Sequence, residues 1–250
     1  MTKIADPEKI DGALFEYHLS LSKNIFDKLK NKPHKKIIEL GSGLGTFTLP
    51  FIEVLKNDFE SYHCVDPYLG PYNNDRQILE NKLGKVEIKG KVEIIECDAR
   101  EIDKLFSDID LIIGHEILCD LNSKQVSQVL RTCFEVLKPG GNLVHAEFSP
   151  IAVSRAEELL HIFDDFSSET VSNTNWFSPT ADELAALAKK NGFSSISVDY
   201  IKIPLHFNEQ AAIEMVNKMR IGKKFIEQYQ NKIQNIGFEY PMEQIIYCTK

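Results

Sequence analysis

Hydrophobic and polar positions follow two different periods along most of the chain. Short apolar runs such as KIIEL (36–40) and DLIIGHEIL (110–118) are typical of buried strands. Between such runs, stretches such as SKQVSQVLRTCFEVLK (123–138) carry apolar side chains at helical spacing, and a Pro-Gly-Gly stop signal follows this one. Strands that alternate with helices through short links predict a parallel sheet with helices on both faces.

The pattern also predicts elements before and after this alternating core. Residues 7–31 are predicted to form one or two amphipathic helices, and SSETVSNTN (167–175) is predicted to be a polar loop. Residues 208–235 are predicted as a helix or a helix pair with a break at Gly222, and EQIIYCTK as a terminal strand.

Three glycines, Gly41, Gly43 and Gly45, follow the first apolar run at every second position. Glycine permits a sharp turn and lets a ligand lie directly against backbone amides. The pattern here is E-x-G-x-G-x-G, whereas the dinucleotide fingerprint GxGxxG needs its last glycine one position later. A glycine-rich turn that binds no ligand is the alternative. The loop alone does not decide between a ligand-binding turn and a turn without a ligand.

Acidic residues lie where the next two predicted strands end. Asp66 closes the second strand about 20 residues beyond the glycine loop, where an acid accepts hydrogen bonds from the ribose hydroxyls of a nucleoside. Asp98, in ECDAR, closes the third strand, where a carboxylate can accept from the exocyclic amine of adenine. Each acid is also typical of a turn or a helix cap. Together they line one crevice at the carboxyl edge of the sheet.

The ordered motifs IIELGSGLGT, VDPY, CDARE, DLIIGHEIL and LKPGGNLVHAEF resemble those of class I S-adenosylmethionine-dependent methyltransferases. The resemblance implies an α/β fold with a doubly wound, mostly parallel seven-stranded sheet, an antiparallel last strand and helices on both faces. It also implies a single domain of three parts. These are an N-terminal helical cap (1–35), the cofactor-binding core (36–148) and the remaining strands with helical insertions that form a substrate lid (149–250).

Carried over by position, the resemblance implies a site for S-adenosylmethionine and its product S-adenosylhomocysteine. Glu39 would accept from the cofactor's ammonium group, directly or through water. The glycine loop would pass under its methionine and ribose portion, and no metal is expected. The implied cofactor-binding residues are Glu39, Gly41, Ser42, Gly43, Gly45, Asp66, Pro67, Asp98, Ala99, Arg100 and His115.

The segment GHEILCDL faces the reaction centre in that family, which makes His115, Glu116 and Asp120 the candidate catalytic residues. A histidine takes up a proton near neutral pH, so His115 is either a general base or a cofactor contact. Glu116 either orients an acceptor amine or starts the next helix. This chain has Cys119-Asp120 where many family members have an acid–histidine pair.

Substrate specificity is expected to come from the additions outside the core. The alternation of the fifth strand places His145 and Glu147 on one face, where Glu147 is the candidate substrate contact and His145 is expected to be structural. The length of the additions indicates an enclosed pocket and a small-molecule acceptor, either an amine or a hydroxylated metabolite. The candidate pocket residues are Tyr17, His18, Glu147, Trp176, Phe177, His206 and Tyr229.

Charge and composition narrow the classes of binding partner and the cellular compartment that we expect. A formal net charge of −8 over 250 residues disfavours broad binding to nucleic acid or to an anionic membrane. No apolar run approaches the roughly 20 residues that span a bilayer, and the first residues lack the order of a secretory signal. The 5 cysteines form no CxxC pair, which indicates reduced thiols in a cytoplasmic protein. The sequence does not indicate an oligomeric state.

Other functions remain open. Within the family, the acceptor is alternatively a protein or, against the acidic charge, an RNA. A non-catalytic subunit that binds the nucleoside and partners another chain is a different class of function. A nicotinamide dehydrogenase is disfavoured because the GxGxxG register fails. We therefore expect S-adenosylhomocysteine, and not NAD, to raise the melting temperature.

Overall fold

The computed structural model describes residues 2–4, 7–29, 34–56, 58–69, 75–172, 179–218 and 222–250. The first part of the chain forms, in order, β1 (Thr2–Ile4), a 3-10 helix (Pro7–Lys9), α1 (Ile10–Leu29), β2 (Lys36–Leu40), α2 (Thr48–Leu55), β3 (Ser61–Asp66), α3 (Asp75–Leu83) and β4 (Lys91–Glu96). The middle forms a 3-10 helix (Ala99–Lys104), β5 (Ile109–His115), a 3-10 helix (Leu118–Asp120), α4 (Ser123–Val136) and β6 (Leu137–Phe148). The last part forms α5 (Arg155–Ser172), α6 (Ala181–Lys190), β7 (Ser195–Ile201), β8 (Leu205–Phe207), α7 (Glu209–Asn217), α8 (Gly222–Ile236), β9 (Phe238–Glu239) and β10 (Glu243–Thr249).

The main sheet has seven strands in the order β4-β3-β2-β5-β6-β10-β7. Strands β4, β3, β2, β5 and β6 pair in parallel, and β10 runs antiparallel between β6 and β7. The predicted fold class, with its antiparallel last strand, is confirmed. Because β3 and β5 lie on opposite sides of β2, the order reverses there, and the crevice for a ligand opens at the carboxyl ends of these strands.

Two apolar clusters cover the faces of the main sheet. Neighbouring residues of β2 point to opposite sides, so that Ile37 joins the cluster with α1, α2 and α3, while Ile38 joins the cluster with α4 and α6. Both side chains are fully buried, and each burial contributes about 1.5–3 kcal/mol. This confirms the prediction of helices on both faces.

A third apolar cluster lies beside the carboxyl end of β6. It joins the first half of α1 to α5, α7, α8 and a small sheet in the order β1-β8-β9. Phe148, the last residue of β6, packs against this cluster. The sequence pattern did not predict the small sheet. The division of the chain into one domain of three parts stays a prediction.

Several predicted boundaries are corrected. Helix α4 ends at Val136, and LKPGG forms the start of β6, because proline disfavours a helical conformation in the residue before it. The predicted loop at 167–175 was wrong over SSETVS, which continues α5, and its last three residues lie outside the described residues. The single helix α1 and the helix pair around Gly222 agree with the predictions.

Among the described residues, no helix has both the length and the apolar character needed to cross a bilayer.

The surroundings of two helical glycines predict that substitution by alanine changes the free energy of unfolding in opposite directions. A Cβ at Gly222, the first residue of α8, would lie 1.9 Å from the carbonyl oxygen of Val216, whereas a Cβ at Gly12 in α1 would meet nothing within 4 Å. We expect Gly222→Ala to lower the free energy of unfolding by about 1–3 kcal/mol. We expect Gly12→Ala to raise it by about 0.5–1 kcal/mol. Urea unfolding of both variants checks this, and equal effects of the two changes would contradict it.

Candidate functional site

The glycine loop after β2 has a backbone that requires glycine. Gly41 and Gly45 have φ values of 72° and 75°, in the left-handed region that other residues rarely adopt. A Cβ at Gly41 would lie 3.0 Å from Cβ of Ile117, and one at Gly45 would lie 2.5 Å from Cδ1 of Leu79. Close packing against these side chains therefore accounts for two of the three glycines.

Gly43 differs from its neighbours because open space surrounds it. Its φ is 41°, yet a Cβ there would meet nothing within 4 Å. Its N–H donates to Oδ2 of Asp66 at a distance of 3.0 Å. Protein packing does not explain this glycine. The open cradle fits a ligand that lies directly on the loop, as the resemblance implies for the ribose portion of S-adenosylmethionine.

The carboxylate of Asp66 connects the loop to the end of β3. Besides the bond from Gly43, its Oδ1 accepts a hydrogen bond of 2.6 Å from the backbone N–H of Tyr68. The Tyr68 hydroxyl lies 3.4 Å from Oγ of Ser42, which is buried in the loop, and Pro67 is half-buried. An ionised carboxylate offers about four lone-pair sites in all, and the contact of Asp66 with ribose hydroxyls stays a prediction.

Asp98 is engaged with a neighbour in its own turn. It caps the 3-10 helix Ala99–Lys104, and its Oδ1 accepts from both the backbone N–H and Nε of Arg100 at 2.8 Å. The hydrogen bonds from the Arg100 side chain lower the pKa of Asp98. Ala99 is buried. The contact of these residues with adenine stays a prediction.

Glu39 is a buried carboxyl group beneath the glycine loop. Its two oxygens accept hydrogen bonds from the Thr48 hydroxyl at 3.0 Å and the Tyr62 hydroxyl at 2.8 Å. Burial raises the pKa of Glu39 to about 7. A nearby ammonium group favours the ionised form of such a carboxyl, which agrees with the implied contact to the cofactor. The sequence did not identify Thr48 and Tyr62 as its partners.

His115 lies at the end of β5 in a group of buried polar side chains. Its Nε2 is 3.0 Å from Oε1 of Glu243, which also accepts a hydrogen bond of 2.6 Å from the Tyr17 hydroxyl. The His115 ring stacks on Phe47 with a centroid distance of 5.4 Å, and His18 meets it edge-on at 5.1 Å. The structure thus brings together His115, Tyr17 and His18, which the sequence had assigned to different roles.

The ring of His18 is held in one orientation and kept neutral. Its Nδ1 lies 2.7 Å from the carbonyl oxygen of Leu14, to which it donates in the neutral tautomer with a protonated Nδ1. Burial lowers the pKa of His18 to about 3. At neutral pH the ring therefore carries no charge, and its Nε2 is an acceptor.

Glu147 and His145 pair on the opposite face of the sheet. Oε1 of Glu147 is 2.5 Å from Nε2 of His145, and it accepts from the backbone N–H groups of Leu118 at 2.7 Å and Cys119 at 3.1 Å. Burial of Glu147 acts to raise its pKa, but His145 and the hydrogen bonds from Cys119 together outweigh this effect, and the net pKa is lowered. Glu147 thus orders the turn after β5, and its contact with substrate stays a prediction.

Glu116 links the two faces at the end of the sheet. Its φ of 53° is unusual for a residue other than glycine, and its Oε1 accepts a hydrogen bond of 2.5 Å from the backbone N–H of Phe148. Burial, and after it the carboxyl groups of Glu147 and Glu243, raises the pKa of Glu116 well above its ordinary value. One of its oxygens lies within 4.8 Å of ligating atoms of His115 and Glu243.

The remaining candidates are Asp120, two side chains of the third cluster and its small sheet, and two residues outside the described ones. Asp120 lies at the end of its 3-10 helix. Burial of its carboxyl group, and after it the nearby carboxyl groups of Glu147 and Asp66, raises the pKa of Asp120 to about 7, and its catalytic role stays a prediction. His206 lies in β8 of the small sheet, and Tyr229 in α8 stacks on Phe225 with a centroid distance of 4.6 Å. The structure does not place His206 or Tyr229 in the group around His115, and their role in a pocket stays a prediction. Trp176 and Phe177 lie outside the described residues.

The sequence analysis missed Glu243, which is fully buried and joins Tyr17 to His115. A signal for it exists in the terminal strand EQIIYCTK. The alternation of a strand places Glu243 on the same face as Ile245 and Tyr247. An acid on an otherwise apolar strand face is buried only when a partner satisfies it, and it therefore indicates a site.

Comparisons with known proteins agree with this geometry. A family model described as a methyltransferase domain matches residues 11–198. A polyketide synthase-nonribosomal peptide synthetase from Aspergillus clavatus is 26% identical over 198 residues, which cover 77% of this chain and 5% of the synthase. The ubiquinone/menaquinone biosynthesis C-methyltransferase UbiE from Vibrio cholerae is 30% identical over 141 residues, 54% of this chain and 48% of UbiE.

The matched region is a small part of the synthase and about half the length of UbiE. Among solved structures, a cyclopropane-fatty-acyl-phospholipid synthase-like protein from Lactobacillus casei superposes with a TM-score of 0.65 at 13% identity. The match covers 95% of this chain and 92% of that protein. This structural likeness shows a shared fold.

The open space at Gly43 predicts that a methyl group there blocks ligand binding. Gly140 offers a matched control, because it has a φ of 76°, a Cβ there would also meet nothing within 4 Å, and it lies in the first part of β6. Alanine at either position costs about 1–2 kcal/mol of backbone strain. We expect Gly43→Ala to weaken S-adenosylhomocysteine binding at least about tenfold and Gly140→Ala to leave it unchanged.

Isothermal titration of both folded variants and the parent protein measures this difference. Unchanged affinity in Gly43→Ala would show that the ligand does not lie on the loop.

Proposed function

Because the chain belongs to the family of class I S-adenosylmethionine-dependent methyltransferases, we propose that it methylates a small-molecule acceptor at the carboxyl edge of its main sheet. When bound, S-adenosylmethionine supplies an activated methyl group on a sulfonium. The residues that fit the cofactor are Glu39 beneath the loop, Gly43 in its open cradle and Asp66 at the end of β3.

The observation that carries this proposal is the buried hydrogen-bonded group of His115, Glu243 and Tyr17. When the imidazole is neutral and Nε2 carries its proton, that N–H donates to the Glu243 carboxylate 3.0 Å away. The lone pair then lies on Nδ1, which makes His115 a general base for the proton of an acceptor. Tyr17 donates to the same carboxylate oxygen at 2.6 Å and so fixes its position.

Packing around His115 supports the alignment that methyl transfer requires. The stacked ring of Phe47 and the edge-on ring of His18 restrict the imidazole to one orientation. Orientation of an acceptor and a base in a site shielded from water can contribute much of the rate acceleration. The His115 side chain is only 8% exposed, which agrees with such shielding.

The same group argues against a non-catalytic subunit that only binds the nucleoside. Binding at the glycine loop uses Glu39, Gly43 and Asp66 and needs none of the polar groups around His115. Burying polar groups costs free energy unless they are satisfied. A binding protein without a reaction has no evident use for a buried histidine–glutamate pair beside its ligand.

Carbon methylation is a second candidate, favoured by the Vibrio relative, whose name describes a C-methyltransferase. A carbon acid needs a base as much as a protonated amine or a hydroxyl does, so the His115 group serves either reaction. The position of an isotopically labelled methyl group in the product distinguishes them. The free thiols of the cysteines agree with our proposal of a cytoplasmic enzyme.

A histidine base predicts that rate and cofactor affinity respond differently to substitution. With an acceptor identified by release of S-adenosylhomocysteine, we expect His115→Ala to lower kcat by about 10²–10⁴-fold, the usual contribution of a general base. The dissociation constant for S-adenosylhomocysteine should change less than about threefold. The measurements are steady-state kinetics and isothermal titration.

His63→Ala is the matched control, since His63 lies on β3 and packs against Phe106. This variant should keep both the rate and the affinity. Equal losses of rate and affinity in His115→Ala would make His115 a cofactor contact, and an unchanged rate would remove it from the mechanism.

A further inference from the structure

We infer that the acceptor is an amine that enters the reaction centre as an ammonium ion held between Glu116 and Glu243. The inference rests on the proposed function and names the substrate class for the same site. It follows from the charges around His115, from one unsatisfied buried atom and from the shape of the backbone at Glu116.

Two carboxyl groups at this edge have fewer partners than the third. Glu147 is paired with His145 and with two backbone N–H groups. Glu116, in contrast, accepts from the backbone N–H of Phe148, and Glu243 accepts from Tyr17 and His115. In the described part of the chain, no lysine or arginine forms an ion pair with Glu116 or Glu243. Two buried carboxyl groups therefore share a region without a fixed cation.

An unsatisfied atom marks where the missing partner belongs. Oε2 of Glu243 is buried without a hydrogen-bond partner, and the residue is 0% exposed. Leaving such an acceptor unpaired in the interior is unfavourable. Ligating atoms of Glu243, Glu116 and His115 all lie within 4.8 Å of one another. A small cationic group between them would satisfy the orphan oxygen and balance the charge.

The backbone at Glu116 is held in an unfavourable conformation that keeps its side chain at this point. A φ of 53° is unfavourable in a residue other than glycine. Its own N–H donates to the carbonyl oxygen of Ala146 at 3.1 Å, so β6 fixes the turn. Such strain persists where the surrounding structure enforces it, commonly at functional sites.

An ammonium group fits these observations better than a hydroxyl group. It brings a positive charge, which favours the ionised form of both carboxyl groups, and several N–H donors, whereas a hydroxyl group carries no charge and would donate one hydrogen bond. The rings of Phe47 and Phe148 flank His115, and Tyr240 packs on Tyr17. Aromatic faces attract organic cations, and they offer no ligands to complete the coordination of a metal ion.

The same arrangement explains which group removes a proton from the ammonium ion and which bond then forms. The ammonium ion loses one proton to Nδ1 of His115, which frees a lone pair on nitrogen. That lone pair forms the bond to the methyl carbon while the carbon–sulfur bond breaks and leaves its electron pair on sulfur. The product is a methylated ammonium ion, whose charge the carboxylates of Glu116 and Glu243 stabilise. The reaction needs no reactant besides the amine and S-adenosylmethionine.

The test compares two cofactor analogues by isothermal titration. Sinefungin carries an amine at the position of the transferable methyl group, and S-adenosylhomocysteine carries a neutral thioether. We expect the parent protein to bind sinefungin at least about tenfold more tightly. The preference should fall to within about threefold in Glu243→Gln and in Glu116→Gln, and remain in Glu135→Gln, an exposed acid on α4.

Each outcome has a distinct meaning. Absence of binding by both analogues would contradict the proposed function itself. Binding of both with equal affinity in the parent protein would overturn the amine assignment while the methyltransferase site stands, even if a glutamine variant failed to fold. A stoichiometric divalent metal that is retained by the parent protein and lost in Glu243→Gln would also overturn it. So would turnover of a neutral alcohol with no turnover of its matched amine.

Discussion

The carboxylate of Asp66 ties the glycine loop to β3, and the arrangement of the cofactor crevice depends on this connection. It accepts from the N–H of Gly43 at 3.0 Å and from the N–H of Tyr68 at 2.6 Å. These bonds hold the loop with its left-handed glycines against the end of the sheet, so that little reorganisation is needed for binding. One side chain therefore holds the loop in the shape that leaves open space at Gly43.

A second constraint follows from the buried acids beyond this cradle. Glu39, Glu116, Glu147 and Glu243 lie near one edge of the sheet, with Glu147 on the opposite face from Glu243, and burial raises the pKa of Glu39 and Glu116. A fold optimised for stability alone would not gather carboxyl groups in its interior, because unpaired buried charge is costly. The third apolar cluster, which packs against Phe148, covers this edge and shields it from water. Stability is thus reduced at the place where cofactor, base and acceptor are proposed to meet.

The sequence predicted the features that depend on short-range pattern. Gly41 to Gly45, Asp66 and Asp98 stand in ordered motifs after strands of clear periodicity, and the main sheet agrees with that pattern, while the binding of cofactor by these residues stays a prediction. The acid at position 243 on an apolar strand face was a usable signal, but its partner His115 lies 128 residues away, and the pattern of the strand does not identify that partner. Strands β1, β8 and β9 have three residues or fewer, too few for a period to be recognised. Their pairing depends on packing in the third cluster.

The measurement that tests this account most directly is isothermal titration of S-adenosylhomocysteine into the cofactor-free parent protein and into Asp66→Ala. We expect the parent protein to bind it, with NAD showing no binding. We expect the folded variant to lose about 1.5–3 kcal/mol of binding free energy, because charge-assisted hydrogen bonds to the ligand and the anchor of the loop are both removed. An unchanged dissociation constant in a folded Asp66→Ala variant would contradict the account of the crevice.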